Sequence, residues 1–477
     1  MPKEPTTQPR HYDLIIIGTG SGNTFPSPAY DNVRIAIVEE ARFGGTCLNV
    51  GCIPTKMFVL AADAAHNVRQ AQRLGVHAHL DDIDLGFLQE RVFAKRVDKI
   101  AAAGDRYRRG DRNPNVDVYD QHGYFVGERT IRTGQGAEVI DITADNIVIA
   151  TGSRPYIPTY VTDSGVPYYT NDNIMRIEKL PKRMIVLGGG YVATEFAHVF
   201  SSFGVEVSVV VRSGALLRAC DGDISTRFTE VVSREWDVHL NATVQRLSED
   251  DGVITAVLSD GTEIQAEALM VATGRVPNGD RMNLQAGGVE LHPDGRVKVD
   301  EYGRTSAPGV WALGDVSNRF LLKHIANHEA KIIWHNLLHP DNLKKFNHRF
   351  VPSAIFTAPQ VAQVGMTEAQ ARQWAQDTGA EITVKVQNIG DVAYGWALED
   401  KDGFAKLIAD RNTGRLLGAH FIGEQASTLV QQCIQMMNFD LDLRDVVTNQ
   451  HWVHPALPEV IENAIYGLDF ASFEQRL

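Results

Sequence analysis

The sequence predicts an α/β chain built as two tandem Rossmann-like units followed by a separate α+β domain. Two observations carry this prediction. The chain repeats itself once on a large scale: Asp13-Leu14-Ile15-Ile16-Ile17 is an apolar run entering Gly18-Thr19-Gly20-Ser21-Gly22, and Arg183-Met184-Ile185-Val186-Leu187 is another entering Gly188-Gly189-Gly190-Tyr191. Each run also has a downstream echo, because Asn146 to Gly152 and Ala268 to Gly274 both end in Ala-Thr-Gly.

The two runs read as buried parallel strands because they are continuously apolar rather than alternating. Arg34 to Val38 and Val205 to Val211 are the second strands, which completes a βαβ pattern twice. The first unit is irregular. Asn23 stands where a third glycine would be, Pro26 and Pro28 follow, and the spacing to Glu39 is compressed. Proline inside a helix removes a donor and clashes, so a short or bent first helix is expected. A linking stretch from Thr273 to about Phe350 contains Val310-Trp311-Ala312-Leu313-Gly314-Asp315. Beyond it, strand-like runs (Lys385 to Gln387, Phe404 to Ile408, Gly418 to Ile422) alternate with helical ones (Glu368 to Gln376, Gln425 to Met437). No glycine fingerprint appears there, so an antiparallel sheet with helices is expected.

Size and composition set bounds. A chain of 477 residues is too long for one core and suggests about three domains. Hydrophobic and charged contents of 44% and 22% are ordinary for a soluble globular protein. A formal net charge of −13 argues against a nucleic-acid polymer as partner. Met1 to Arg10 is polar, without the apolar centre of a signal peptide, and no run of about 18 apolar residues suggests a membrane span. With only four cysteines, the expected compartment is the reducing cytoplasm.

Glycines after a strand let backbone approach a pyrophosphate, and the next helix offers its N-terminus to the charge. An acid about 20 positions on binds ribose hydroxyls, and Glu39 fits that role in the first unit. The second unit has Arg212 there instead, with Arg218 six residues later. Guanidinium in place of carboxylate favours the 2′-phosphate of NADPH over NADH. The competing reading is two solvated surface arginines.

The densest stretch is Gly44-Gly45-Thr46-Cys47-Leu48-Asn49-Val50-Gly51-Cys52-Ile53-Pro54-Thr55-Lys56. A bridge across so short a loop returns little entropy, so Cys47 and Cys52 read as redox partners rather than a staple. Five helical steps rise about 7.5 Å, whereas bridgeable cysteines need α-carbons within about 7 Å. The segment must therefore be a distorted turn. Gly51 permits unusual angles and Pro54 suits a first helical turn. A helix starting here would aim N–H groups at the sulfurs and favour thiolate. The competing readings are free buried cysteines or half of a zinc site. His454 precedes Pro455 and lies five residues before Glu459. Imidazole is the obvious proton donor for a departing thiol near neutral pH, and a carboxylate can fix its tautomer; a capping or interface histidine is the alternative. His324 and His328 share a plausible helix face, but no third metal ligand accompanies them.

With these motifs the chain resembles the group I pyridine nucleotide–disulfide oxidoreductases, from about His11 to about Leu468. The match rests on Gly44 to Val59, on Gly390-Asp391-Val392-Ala393-Tyr394-Gly395-Trp396-Ala397, and on Trp452 to Glu459. The resemblance implies FAD in the first unit, held by Gly18, Gly20, Gly22, Glu39, Thr46, Thr151, Gly152 and Asp315. It implies NADPH in the second, with Gly188, Gly190, Arg212, Arg218 and Gly274, and Tyr191 as a gate over the nicotinamide. Cys47 would attack a low-molecular-weight disulfide, Cys52 would face the flavin, and Lys56 and Glu195 would pair beside it. His454 and Glu459 would be the acid/base pair, reaching into the partner's site of a homodimer. The family usually reads His-Pro-Thr-x-Ser-Glu, whereas Ala456 and Pro458 stand here in place of the hydroxyl residues. The implied domains are 1–155 for FAD, 156–274 for NADPH, 275–349 returning to the FAD unit, and 350–477 for dimerisation. The alternatives are another member of the same group (a dihydrolipoamide dehydrogenase, glutathione reductase or mercuric reductase), or a non-catalytic flavin-binding redox sensor.

Overall fold

The structure is a computed structural model that describes residues 9–471. The expectations for residues 1–8 and 472–477 lie outside the described residues.

In the first unit the strands are β1 (Arg10–Ile17), β2 (Ile35–Val38), β3 (Val116–Tyr119), β4 (Tyr124–Gly127), β5 (Thr130–Thr133) and β6 (Ile140–Ile149). Their order is 3-2-1-6-5-4, with the first four parallel. β1 enters the glycine turn, but no regular helix follows. Two single 3₁₀ turns, Ser21–Asn23 and Ser27–Tyr30, take its place, as the prolines dictate. The next helices are α1 (Gly45–Asn49) and α2 (Cys52–Gln70).

The second unit has the parallel strands β7 (Arg183–Leu187), β8 (Glu206–Val210), β9 (Asp237–His239) and β10 (Ala268–Val271), in the order 9-8-7-10. Here the glycine turn leads into a full helix, α3 (Tyr191–Ser202), and α4 (Gly222–Val232) follows β8. A three-stranded antiparallel sheet over 244–266 was not foreseen. The chain then returns to the first sheet: β11 (Val310–Ala312) pairs parallel with β6, and α5 (Lys323–Leu338) follows.

The two Ala-Thr-Gly echoes have one cause. Gly18 and Gly188 have φ of +103° and +124°. A Cβ on Gly18 would meet Ala150 O at 2.4 Å, and one on Gly188 would meet Ala272 O at 2.3 Å. In each unit the strand bearing the echo presses its alanine carbonyl against the first glycine, so neither partner tolerates bulk.

The last domain is a five-stranded antiparallel sheet of β12 (Ser353–Ile355), β13 (Gln360–Gly365), β14 (Ile382–Asn388), β15 (Phe404–Asp410) and β16 (Leu416–Gly423), ordered 12-13-16-15-14. Helices α6 (Glu368–Thr378), α7 (Ala426–Asn438) and α8 (Glu459–Tyr466) pack on it. Its core (Leu407, Phe421, Leu429, Ile461) is separate from those of the nucleotide units.

One helical stretch, residues 45–74, is long and apolar enough by composition to span a bilayer. It is interrupted at Val50–Gly51, and Phe58, Val59 and Ala62 are buried in the core shared with α3.

Candidate active site

The segment between the cysteines folds as the reach argument requires. α1 stops at Asn49, and α2 starts at Cys52. Val50 N–H closes α1 on Thr46 O at 2.9 Å, and Gly51, at φ −132° and ψ −124°, turns the chain. Gly45 has φ +67°, and a Cβ there would meet Gly20 Cα at 2.7 Å. The redox segment therefore lies directly on the glycine turn of β1.

The structure holds both cysteines as free thiols, Cys47 half-buried and Cys52 exposed. A hydrogen bond from Cys47 is the largest influence on Cys52, and it brings that thiol down to about 7 against the opposing effect of desolvation. The Cys52 backbone N–H at the start of α2 and the charges of Lys323 and Lys56 act in the same direction. Cys47 moves strongly the other way, first because it donates to Cys52 and then because it is half-buried. The proton of the open pair thus sits on Cys47 and the negative charge on Cys52.

Lys56, one turn along α2, meets Glu195 of α3 at 2.7 Å. Burial lowers the Lys56 pKa, and Glu195 opposes this. Glu195 Oε1 also accepts from Phe356 N–H at 3.0 Å, and Lys56 Nζ lies 4.0 Å from the Phe356 ring centroid. Tyr191, at the start of α3, has its phenol pushed up to about 12 by burial.

These groups open on a cavity of about 1000 Å³, at the upper end for a small-molecule site. It runs from Glu39, past Gly18, Gly20, Thr46, Thr151 and Gly152, to Cys47, Cys52, Lys56, Tyr191, Glu195 and Asp315. Thr151 Oγ1 and Asn49 Oδ1 line it as buried polar atoms without a partner among the described residues. A Cβ at Gly152 would meet nothing within 4 Å. Unmet acceptors and unfilled room beside a glycine turn fit an elongated polar cofactor such as FAD. Glu39 Oε2 accepts from Thr19 N–H at 2.9 Å and Thr19 Oγ1 at 2.6 Å, which fixes the carboxylate at the cavity's end.

Some expected residues stand elsewhere. Gly22 is buried behind the turn, where a Cβ would meet Ala150 Cβ at 2.5 Å; it allows turn and strand to close and does not line the cavity. Gly188, Gly190 and Gly274 belong to the second unit's own turns, outside this cavity. Arg212 and Arg218 are exposed, with no hydrogen bond or ion pair to other described residues. His454 and Glu459 also lie outside it. His454 is 69% exposed and its Nδ1 lies 2.6 Å from Glu459 Oε1, while Glu459 Oε2 accepts from Ala456 N–H at 3.1 Å. The backbone of Ala456 supplies a donor where the family places a hydroxyl residue. His324 Nε2 contacts Pro352 O at 3.0 Å and His328 Nε2 accepts from Asn347 N–H at 3.0 Å, so each is engaged by backbone.

The sequence reading missed Thr19, Asn171, Ser153, Arg275 and Lys323. Arg275 follows the second Ala-Thr-Gly directly, which was an available signal; Lys323 had none.

Residues 12–330 match the family described as pyridine nucleotide-disulphide oxidoreductase, and residues 351–465 match its dimerisation domain. The chain belongs to the pyridine nucleotide-disulphide oxidoreductases. It is 50% identical over 466 residues to a mycothione reductase of Mycobacterium tuberculosis, covering 96% of this chain and 99% of that one. It is 31% identical to a glutathione reductase of Burkholderia cepacia, over 88% and 91% of the two chains. Among solved structures, the HOCl-induced flavoprotein disulfide reductase RclA from Escherichia coli superposes with a TM-score of 0.82 at 26% identity, covering 95% of this chain and 99% of that one. The protein is an FAD-dependent disulfide reductase that draws on NADPH, and it carries the family's dimerisation domain.

Proposed function

We propose that this reductase acts on mycothione, regenerating mycothiol in the cytoplasm as a homodimer. Cys47 and Cys52 are its redox pair. The observation that carries the reading is that Cys47 and Cys52, free thiols on either side of the break between α1 and α2, both line the cavity. The relative identical at 50% supports the substrate. The unpaired Arg212 and Arg218 support NADPH. The domains follow as 1–155, 156–274, 275–349 and 350–477.

Bound FAD supplies the two-electron path from the nicotinamide to the sulfur pair. Glu39, Thr19, Thr46, Thr151 and Asp315 would hold it. In the open pair Cys52 is the thiolate and Cys47 keeps the proton. His454 of the partner subunit accepts that proton, and Cys47 attacks one sulfur of the substrate. The substrate S–S bond breaks, a mixed disulfide forms on Cys47, and the departing thiolate takes the proton from the imidazolium. Glu459 stabilises that imidazolium and fixes its ring. Cys52 then attacks Cys47, closing the pair and expelling the second thiolate, which is protonated from solvent. Each exchange is governed by thiolate fraction and leaving-group pKa. Lys56 and Glu195 fix α2 against α3, so the attacking sulfurs keep their aim.

The test is steady-state turnover of purified holoenzyme with mycothione and NADPH, beside glutathione disulfide and lipoamide. Mycothione is expected to give the highest kcat/KM; a higher value with either of the others overturns the substrate assignment.

A further inference from the structure

Lys323 is the first residue of α5, and it lines the same cavity as Cys47 and Cys52. Its ammonium is fixed. Lys323 Nζ donates to Ser21 Oγ at 2.9 Å, and Ser21 Oγ donates in turn to Asn327 Oδ1 at 2.9 Å, one helical turn further along α5. Ser21 is buried and belongs to the glycine turn of β1. No carboxylate forms an ion pair with Lys323 among the described residues. Lys56, the lysine expected to matter, is neutralised by Glu195 at 2.7 Å.

We propose that Lys323 is a positioning residue of the redox pair: its ammonium, tethered to Ser21 and without a carboxylate partner among the described residues, is the fixed positive charge that favours the Cys52 thiolate while the pair is open. A cation without a carboxylate partner acts over several ångströms, whereas a lysine already paired with a carboxylate presents almost no net charge at that range. The electrostatics agree with the geometry. The hydrogen bond from Cys47 acts most strongly on Cys52, and among the lysines Lys323 outweighs Lys56; Lys323 also lowers Cys47. The other ionisable groups lining the cavity are Lys56 on α2, Tyr191 and Glu195 on α3, His324 beside Lys323, Asp172 beside Asn171, Asp315 and Arg275, and Glu39, Glu40, Arg42, His122, Arg154 and Arg281. Glu195 is spent on Lys56. Asp315 accepts from Ser153 Oγ at 2.7 Å, and that same oxygen accepts from Arg275 Nε at 2.7 Å, so these two charges meet through one hydroxyl. Lys323 is the ammonium left over.

The inference rests on Cys47 and Cys52 being the redox pair. C47S and C52S decide that separately through turnover, so an unshifted Lys323 variant in an enzyme those changes inactivate overturns only the role of Lys323. The experiment uses the reduced holoenzyme. The long-wavelength thiolate–flavin absorbance and the rate of iodoacetamide alkylation are each followed against pH. K323M is expected to raise the midpoint by about one pH unit, the order a single nearby charge produces. K323R, which keeps the charge, should stay near wild type. K323Q keeps a donor for Ser21 without charge and should shift like K323M. A midpoint unmoved in K323M or in K323Q overturns the proposal. So does loss of flavin in both with retention in K323R, because the cation would then serve the cofactor rather than the sulfurs.

Discussion

Asn171 reaches from the crossover between the nucleotide units to the break between the two cysteines: its Nδ2 donates to the Val50 carbonyl at 3.1 Å. Its Oδ1 accepts from Arg275 Nη1 at 3.3 Å, and Arg275 Nη2 donates to Ser153 O at 2.7 Å. The redox turn is therefore tied to the second nucleotide unit by side chains, not by its own backbone alone. N171A removes one bond to a carbonyl, worth about 1 kcal/mol. Substrate reduction is expected to slow about fivefold, with flavin content unchanged. Rapid-reaction kinetics on the reduced enzyme measure this; an unchanged rate means that Val50 needs no such tie.

The hydrogen bond from Cys47 is the largest influence on Cys52, which stands at about 7. C47A removes the donor, so the Cys52 midpoint should rise, and the thiolate absorbance of the reduced enzyme should weaken at pH 7. C47S keeps an O–H donor and should retain most of that absorbance. Both variants should lose disulfide turnover while NADPH still bleaches the flavin. A C47S enzyme that turns over normally sinks the assignment of the attacking sulfur.

The legible parts of this chain were those where local chemistry dictates backbone. Continuous apolar runs gave β1 and β7, and Pro26 and Pro28 foretold the broken first helix. The need to bring Cys47 and Cys52 within bridging reach foretold the break at Val50–Gly51. Glu39 was legible because its spacing from the glycine turn is fixed by strand length. Lys323 and Asn171 were not, since each acts through a partner more than 100 positions away, and nothing in their neighbours marks them. The antiparallel sheet over 244–266 was legible but missed: its strands alternate, and Asp251-Gly252 and Asp260-Gly261 mark its two turns.

Lys406 is buried, with Nζ at 2.8 Å from Asp221, 2.7 Å from Asp223 and 2.6 Å from Glu368. Asp221 also accepts from Glu368 N–H at 2.8 Å, so this knot joins the second nucleotide unit to the last domain. Burial acts to lower Lys406, but the three carboxylates raise it overall. K406M leaves the Asp221 carboxylate buried without its counter-charge and should cost about 3–5 kcal/mol. The raised lysine contributes stability below its ordinary value of 10.5, lost as pH rises through its folded value. Asp221 and Glu368, both lowered, contribute above their ordinary values of 3.8 and 4.5, lost as pH falls. The advantage of wild type over K406M should therefore be largest between these limits. Denaturant titrations at acidic, neutral and strongly alkaline pH read it, and an equal difference at all three contradicts the knot.

Arg212 stands free just past the end of β8, where the first unit has Glu39, and Arg218 stands exposed in the loop that follows. A guanidinium there recognises a 2′-phosphate through charge-assisted bonds worth about 1.5–3 kcal/mol each. R212L should raise KM for NADPH by about tenfold or more, with kcat and the KM for NADH little changed. Equal losses with both nucleotides would mean that Arg212 supports the fold and not the phosphate.

His454 and Glu459 face away from the cavity of their own chain, yet they are joined as an acid/base pair would be, with Nδ1 and Oε1 at 2.6 Å. Burial tends to raise Glu459, but the bonds from His454 and the Ala456 N–H leave it lowered, so it is anionic at neutral pH. H454Q should reduce disulfide turnover by about 10²–10⁴-fold, the usual loss for a positioned proton donor, and leave NADPH bleaching of the flavin intact. If the imidazole serves the other subunit, two dead enzymes must rescue each other. C47S contributes His454 and H454Q contributes Cys47, so a mixed dimer holds one complete site. Co-expression of the two should restore roughly a quarter of wild-type activity, as random pairing of subunits in a twofold dimer dictates. A mixture as inactive as its parents would place the histidine and the cysteine of each site on one chain.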